Sequence, residues 1–179
     1  MRSEAMIVRG CAPTLANIKS SSLICLPRDC PCLDDILSRL RLKGIGFRFF
    51  KNTYGCTLLF AYRPKALKKC LNHNENTRSF LASIGYDTGD LVSCLRLLEK
   101  RLSKESFPHE IGFFLGYPSD DVFSFIDKEG RAYIAKGMWK IYHNAEESLA
   151  LSRKFSRCTA CLLSSLEKGI QIESLCVSA

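Results

Sequence analysis

A single α+β domain is the fold class this chain predicts, with helices covering one or both faces of a mixed, largely antiparallel sheet of about five strands. Three observations carry that prediction. The chain has 179 residues, 46% hydrophobic and 25% charged, which suits one globular domain with one good core. Short apolar runs bounded by turn residues recur at 22–26, 45–63, 110–116 and 131–142. Between them lie stretches with apolar residues at helical spacing and a glycine stop.

Residues 1–19 read as irregular, and Ser22 to Leu26 reads as a strand. Cys30-Pro31-Cys32 opens a helix running to about Leu42, with Leu33, Ile36, Leu37 and Leu40 as its stripe and Gly44 as its stop. Ile45–Phe50 and Cys56–Arg63 form a hairpin around Asn52-Thr53-Tyr54-Gly55. Three helices follow: one from Pro64, one from about Asn76 to Ile84, and one capped by Thr88 that carries Leu91, Cys94, Leu95, Leu98 and Leu102.

The stretch from His109 to Gly130 organises the rest. Ile111–Leu115 reads as a buried strand, with Pro118 opening a helix at its first position. Asp120 and Asp121 fall in the first turn, where carboxylates suit the positive helix end. Val122, Phe125 and Ile126 give that helix its buried face, and Gly130 ends it. A strand starting at His109 would point His109 and Glu110 to opposite faces. Gly112 and Gly116 leave room for a close approach, with a helix the favoured occupant. Arg131–Tyr142 reads as another strand, and Asn144 with Glu147 as a capping pair for a last long helix. Leu151, Phe155, Cys158, Leu162 and Leu166 form its buried face, and Ile172, Leu175 and Val177 offer a short terminal strand.

Composition narrows the function classes. No apolar run reaches the length of a membrane helix, so no membrane partner is expected. No export signal is read at the N-terminus, so the ten cysteines are expected to be reduced thiols in a cytoplasmic protein. Cys56, Cys70 and Cys94 fall at apolar positions, where cysteine serves as a small hydrophobe. The net charge is +8, and residues 39–104 alone hold 14 basic against 4 acidic residues. Such a basic middle attracts nucleic acid, anionic lipid or an acidic partner.

Three blocks carry a family resemblance: Cys11-Ala-Pro-Thr-Leu-Ala-Asn-Ile-Lys19, His109–Ile126, and Trp139-Lys140-Ile141-Tyr142, with Cys158 fitting as well. Together they resemble the family called domain of unknown function 3793, found mainly in Clostridia and related anaerobes. The resemblance spans nearly the whole chain. It implies a cytoplasmic bacterial protein and supplies no reaction. Members often carry a cysteine just ahead of the tryptophan block, where this chain reads Ala135-Lys136-Gly137.

Three readings of the chemistry follow. The first is a small-molecule enzyme or ligand-binding protein. Cys11 is its nucleophile, His109 its base and Glu110 the group that orients the base. Lys19, Tyr117, Lys140 and Tyr142 would bind the substrate. The second is a metal- or redox-responsive protein using Cys158-Thr-Ala-Cys161 and Cys30-Pro31-Cys32. Burial as small hydrophobes outweighs ligation there, so no metal site is predicted. The third is a basic nucleic-acid or protein-binding module built on Phe47–Lys51 and Phe60–Arg63. No recognition motif accompanies that charge, so nucleic acid is the weaker partner. No cofactor, substrate or oligomeric state follows from the sequence.

Overall fold

A computed structural model describes residues 2–27, 30, 32–51, 57–104 and 107–178. Its first element is a helix, α1 (Arg2–Leu15), where the sequence reads as irregular. Ile7, Val8, Cys11, Ala12 and Leu15 recur at helical spacing and are all fully buried. That stripe outweighs Pro13, which sits in the last turn, where the helix is about to stop anyway.

Next come β1 (Ser21–Leu26), α2 (Leu33–Arg41), β2 (Gly46–Lys51) and β3 (Thr57–Tyr62). The Asn52–Gly55 turn, Cys56 and Pro31 lie outside the described residues. The strands form one antiparallel sheet in the order β1-β3-β2, with Leu59 opposite both Ile24 and Phe49. The central strand reads Thr-Leu-Leu-Phe-Ala-Tyr because both of its faces are covered. Leu59 and Ala61 pack with α1 and α2. Leu58 and Phe60 pack on the opposite side. Along the edge, alternation would put Ile45, Phe47 and Phe49 on one core face; Ile45 is buried and Phe47 packs against the α1 cluster, whereas Phe49 is exposed and Phe50 is fully buried on the other face.

The opposite side is covered by α3 (Pro64–Leu71), α4 (Glu75–Ser83), α5 (Leu91–Leu102), α6 (Ile111–Phe114) and α7 (Ser119–Asp127). Then follow β4 (Ala135–Lys136), β5 (Lys140–Ile141), α8 (Ala145–Glu167) and α9 (Ile172–Leu175). Helices α8 and α9 contribute Leu166 and Ile172 to the α1 side. A smaller apolar cluster gathers Trp139, Ile141 and Phe155 with Ile18 and Tyr117.

The α+β class stands, but a five-stranded sheet does not. The described residues hold one three-stranded sheet and the separate β4–β5 pair. Ile111–Phe114 is a helical turn, closed by the Leu115 amide on the Ile111 carbonyl at 2.8 Å. A five-residue apolar run has no periodicity that separates a buried strand from a buried turn of helix. Gly112 does accept a helix: a Cβ there would lie 2.8 Å from Val122 of α7. The 131–142 region pairs only two residues per strand, and Ala132 takes a left-handed turn at φ 53°. The tail is helical at α9.

Three caps also shift. Asp90, not Thr88, caps α5 by accepting from the Val92 amide. Pro118 is the residue before α7 rather than its first turn. Asn144 is left-handed and makes no side-chain cap bond. No helix among the described residues is long and apolar enough to cross a membrane.

Candidate ligand cleft around Lys19

The turn after α1 carries Lys19, a lysine that is buried. Pro13 offers its carbonyl to the amides of both Ile18 and Lys19, at 2.9 and 3.1 Å. Asn17 takes the left-handed conformation that lets the chain reverse there. Arg63, only 4% exposed, holds the same corner from below. Its guanidinium donates to the carbonyls of Thr14, Leu15 and Val177 at 2.6, 2.6 and 2.7 Å. These contacts satisfy the last carbonyls of α1, which a helix end leaves without internal partners. The side-chain oxygens of Thr14 and Ser22 hydrogen-bond at 2.8 Å, which ties α1 to β1.

So fixed, Lys19 is buried to all but 9% of its surface. Its ammonium lies 5.1 Å from the centroid of the Tyr117 ring and 5.9 Å from that of Phe155. Among the described residues no carboxylate pairs with it. Burial pushes the amine down from 10.5 to about 8, with the Cys11 thiol as its electrostatic neighbour. A buried lysine without a counter-charge is a costly arrangement, and such groups concentrate at functional sites.

Lys19 opens on a cleft of about 570 Å³. Phe155 and Leu151 of α8 form one wall. Ala66, Lys69 and Cys70 of α3 form another, followed by His73. Tyr117 and the start of α7, with Ser119 and Asp120, close the third side. Thr77 of α4 also lines the cleft; it is 2% exposed, and its Oγ1 is buried with no hydrogen-bond partner. A buried hydroxyl of that kind calls for a water or a ligand atom. Gly116 lets the Tyr117 backbone approach, since a Cβ at its φ of 68° would lie 2.7 Å from Ser20 Oγ.

The three side chains of the expected Cys–His–Glu site do not converge. Cys11 is fully buried in the α1 cluster, and burial pushes its thiol from 9.0 up to about 12. His109 is exposed with its ring edge on Phe125, in a second cleft of about 400 Å³ that Lys140 also lines. Glu110 is buried and bonded to Arg101 and Tyr86, the latter at 3.1 Å. That pairing makes Glu110 a structural anchor between α5 and α6.

Of the four expected substrate contacts, Lys19 and Tyr117 share the Lys19 cleft. Lys140 donates to the Gly130 carbonyl at 2.7 Å and lies near the Phe125 and Tyr133 rings, so it clips the chain after α7. Tyr142 is buried, with a hydroxyl that has no partner.

Asp121 holds these pieces in place. It is 1% exposed and accepts the Trp139 indole N–H at 2.7 Å. It also accepts the amides of Tyr142 and His143 at 2.7 and 2.9 Å. Its role thus extends beyond the expected helix-end charge.

A family model matches residues 7–176, from α1 through α9 and including every wall of the Lys19 cleft. The chain belongs to the family described as Protein of unknown function (DUF3793). No curated protein and no solved structure matches it. For this DUF3793 chain the site therefore rests on the geometry above. Among the described residues no group of three or more His, Cys, Asp or Glu side chains is placed to hold a metal.

Of the residues lining this cleft, Lys19 and Tyr117 stand out in the sequence through the family blocks, whereas Cys70, His73, Thr77 and Phe155 do not. Phe155 is an ordinary member of a helical stripe. His73 and Thr77 lie at the α3–α4 junction, where nothing in the spacing distinguishes a cleft wall from a solvated turn.

Proposed function

We propose that this DUF3793 protein is a single-domain, cytoplasmic bacterial protein that binds a small anionic metabolite in the Lys19 cleft, as a ligand-binding protein or a small-molecule enzyme. The observation that carries the reading is the buried Lys19 ammonium, which faces a cleft and has no carboxylate partner among the described residues. An anion entering there would supply the missing counter-charge, a contact strengthened by low local dielectric. Lys69 lines the same cleft and adds a positive charge beside the Asp120 carboxylate, and the His73 ring nitrogens offer hydrogen-bond partners. The Tyr117 and Phe155 rings would grip the ligand's carbon skeleton. The free thiols Cys11, Cys70, Cys94 and Cys176, all wholly or largely buried, fit a reducing compartment.

Thermal unfolding at pH 7 with pyruvate, malate and glycerol phosphate tests the reading. At least one of these acids should raise the Tm of the wild-type chain, and Lys19→Met should lose that response. An equal response in Lys19→Met would place the ligand elsewhere.

A further inference from the structure

We infer that Lys19 acts as a nucleophile, forming an imine with a small carbonyl compound that bears an anionic group, such as an α-keto or aldehydo acid. This inference rests on the Lys19 cleft being the ligand site.

The argument starts from geometry. A lysine that only binds an anion works best fully charged, at the surface or beside polar donors. Lys19 is instead nine-tenths buried, seated against the rings of Tyr117 and Phe155, and open on one side to the cleft. That setting favours the neutral amine, which is the reactive form in carbonyl addition. The titratable groups facing it are Cys11 of α1, Lys69 and Cys70 of α3 with His73 beyond, and Tyr117 and Asp120 from the α7 side. Leu151 and Phe155 of α8 contribute none. Burial keeps Cys11 and Tyr117 protonated, and Asp120 makes no ion pair with Lys19 among the described residues, so no ion pair holds the amine as ammonium. The amine accordingly falls to about 8, and a useful fraction is neutral near physiological pH.

The chemistry balances without an oxidant or reductant. The neutral Lys19 nitrogen bonds to the carbonyl carbon, and one amine proton moves to the oxygen to give a carbinolamine. The carbon–oxygen bond then breaks. The hydroxyl takes up a proton and leaves as water, and the remaining N–H proton is lost. Amine plus carbonyl thus becomes imine plus water. His73 lines the same cleft, and its imidazole is the side chain there that can relay that proton. Lys69 is placed to hold the ligand's anionic group.

The test treats the intact chain with glyoxylate and sodium cyanoborohydride at pH 7.5, followed by peptide mass mapping. The hydride reduces any imine to a stable secondary amine. Lys19 should be modified about 100-fold faster than the exposed Lys65 and Lys68, in line with its larger neutral fraction. Lys19→Arg keeps the cation and should retain glyoxylate binding by calorimetry while losing the modification. His73→Ala should slow trapping several-fold more than it weakens glyoxylate binding. If glyoxylate binds the wild type and Lys19 is trapped no faster than Lys65, the imine is overturned and the anion site survives. If glyoxylate neither binds nor is trapped, both are overturned.

Discussion

Tyr117 stacks on Trp139 with ring centroids 5.0 Å apart and planes 23° apart. Tyr117 lines both clefts, whereas Trp139 lines only the one shared by His109 and Lys140. The stack is therefore a partition between them. Trp139 is the only tryptophan in the chain.

It follows that the intrinsic fluorescence of the protein reports on the Lys19 cleft. A ligand pressing on Tyr117 changes the stacking on the indole, so titration with glyoxylate should change Trp139 emission saturably. Tyr117→Ala should alter the starting spectrum and abolish the titration. A saturable change of the same size in Tyr117→Ala would mean that the probe reads a different site.

Arg63 is predicted to control the position of Lys19 from a distance. Its bonds to the Thr14 and Leu15 carbonyls hold the α1 end and a third ties in Val177, and Lys19 lies four residues beyond Leu15. Removing a buried charged donor strands those acceptors, so Arg63→Ala should cost about 3–5 kcal/mol in urea unfolding. Arg63→Lys should recover part of the stability, because an ammonium cannot reach three carbonyls with the guanidinium's planar fork. A loss below about 1 kcal/mol would show that the α1 end is held by other contacts.

How far the sequence discloses this molecule depends on the kind of signal each residue sends. Helices α2 to α5, α7 and α8 are legible because each has an apolar stripe of several turns. The β2–β3 hairpin is legible from its two apolar runs. Helix α1 is hidden by Pro13, although the Ile7–Cys11–Leu15 spacing is plainly helical. Ile111–Phe114 is too short for periodicity to act, and its glycines mimic strand boundaries. The site is half legible for a different reason. Lys19 and Tyr117 stand out as polar residues inside distinctive blocks. Arg63 closes the second hairpin run and precedes Pro64, where it reads as one of the hairpin's basic residues. Only the fold shows that it points at the end of α1.

Glu110 is expected to matter for stability and not for ligand binding. Its carboxylate is buried against Tyr86 and bonded to Arg101, whose side chain is about one-third exposed. Glu110→Gln should therefore cost about 2 kcal/mol, less than a fully buried pair would lose. The Tyr86 phenol, held well above its ordinary value by burial and by Glu110, should move back toward it in the variant. Ultraviolet titration of the tyrosines reads that shift. Weaker glyoxylate binding in Glu110→Gln, at unchanged fold, would return Glu110 to the site.

The thiols should separate cleanly by burial. Cys25, Cys32 and Cys161 are exposed and should be alkylated before the buried thiols by iodoacetamide. Cys11 has no exposed surface and a thiol pushed up to about 12, so it should react only on unfolding. Cys11→Ala should cost about 1–2 kcal/mol, as a small buried group leaves a small cavity. Fast alkylation of native Cys11 at pH 7 would instead revive it as a nucleophile.

The pH dependence of stability should carry the signature of Lys19. Its amine falls from 10.5 to about 8 on folding. Between those values the unfolded chain holds a proton that the folded chain has lost, so stability rises with pH across that window. Cys11 and Cys94 act in the opposite sense, since burial raises them from 9.0 to about 12 and about 11. Above pH 9 the unfolded chain gives up protons that the folded chain keeps, and stability falls. The wild type should therefore gain up to about 1 kcal/mol between pH 8 and 9 and then decline. Lys19→Met removes the buried ammonium, so it should be about 2–3 kcal/mol more stable than the wild type at pH 7 and lack the rise. Urea unfolding at half-unit steps from pH 7 to 10.5 measures both. Superposable profiles for the two proteins would mean that the Lys19 amine is hydrated like any surface lysine, and the case for a functional cleft would go with it.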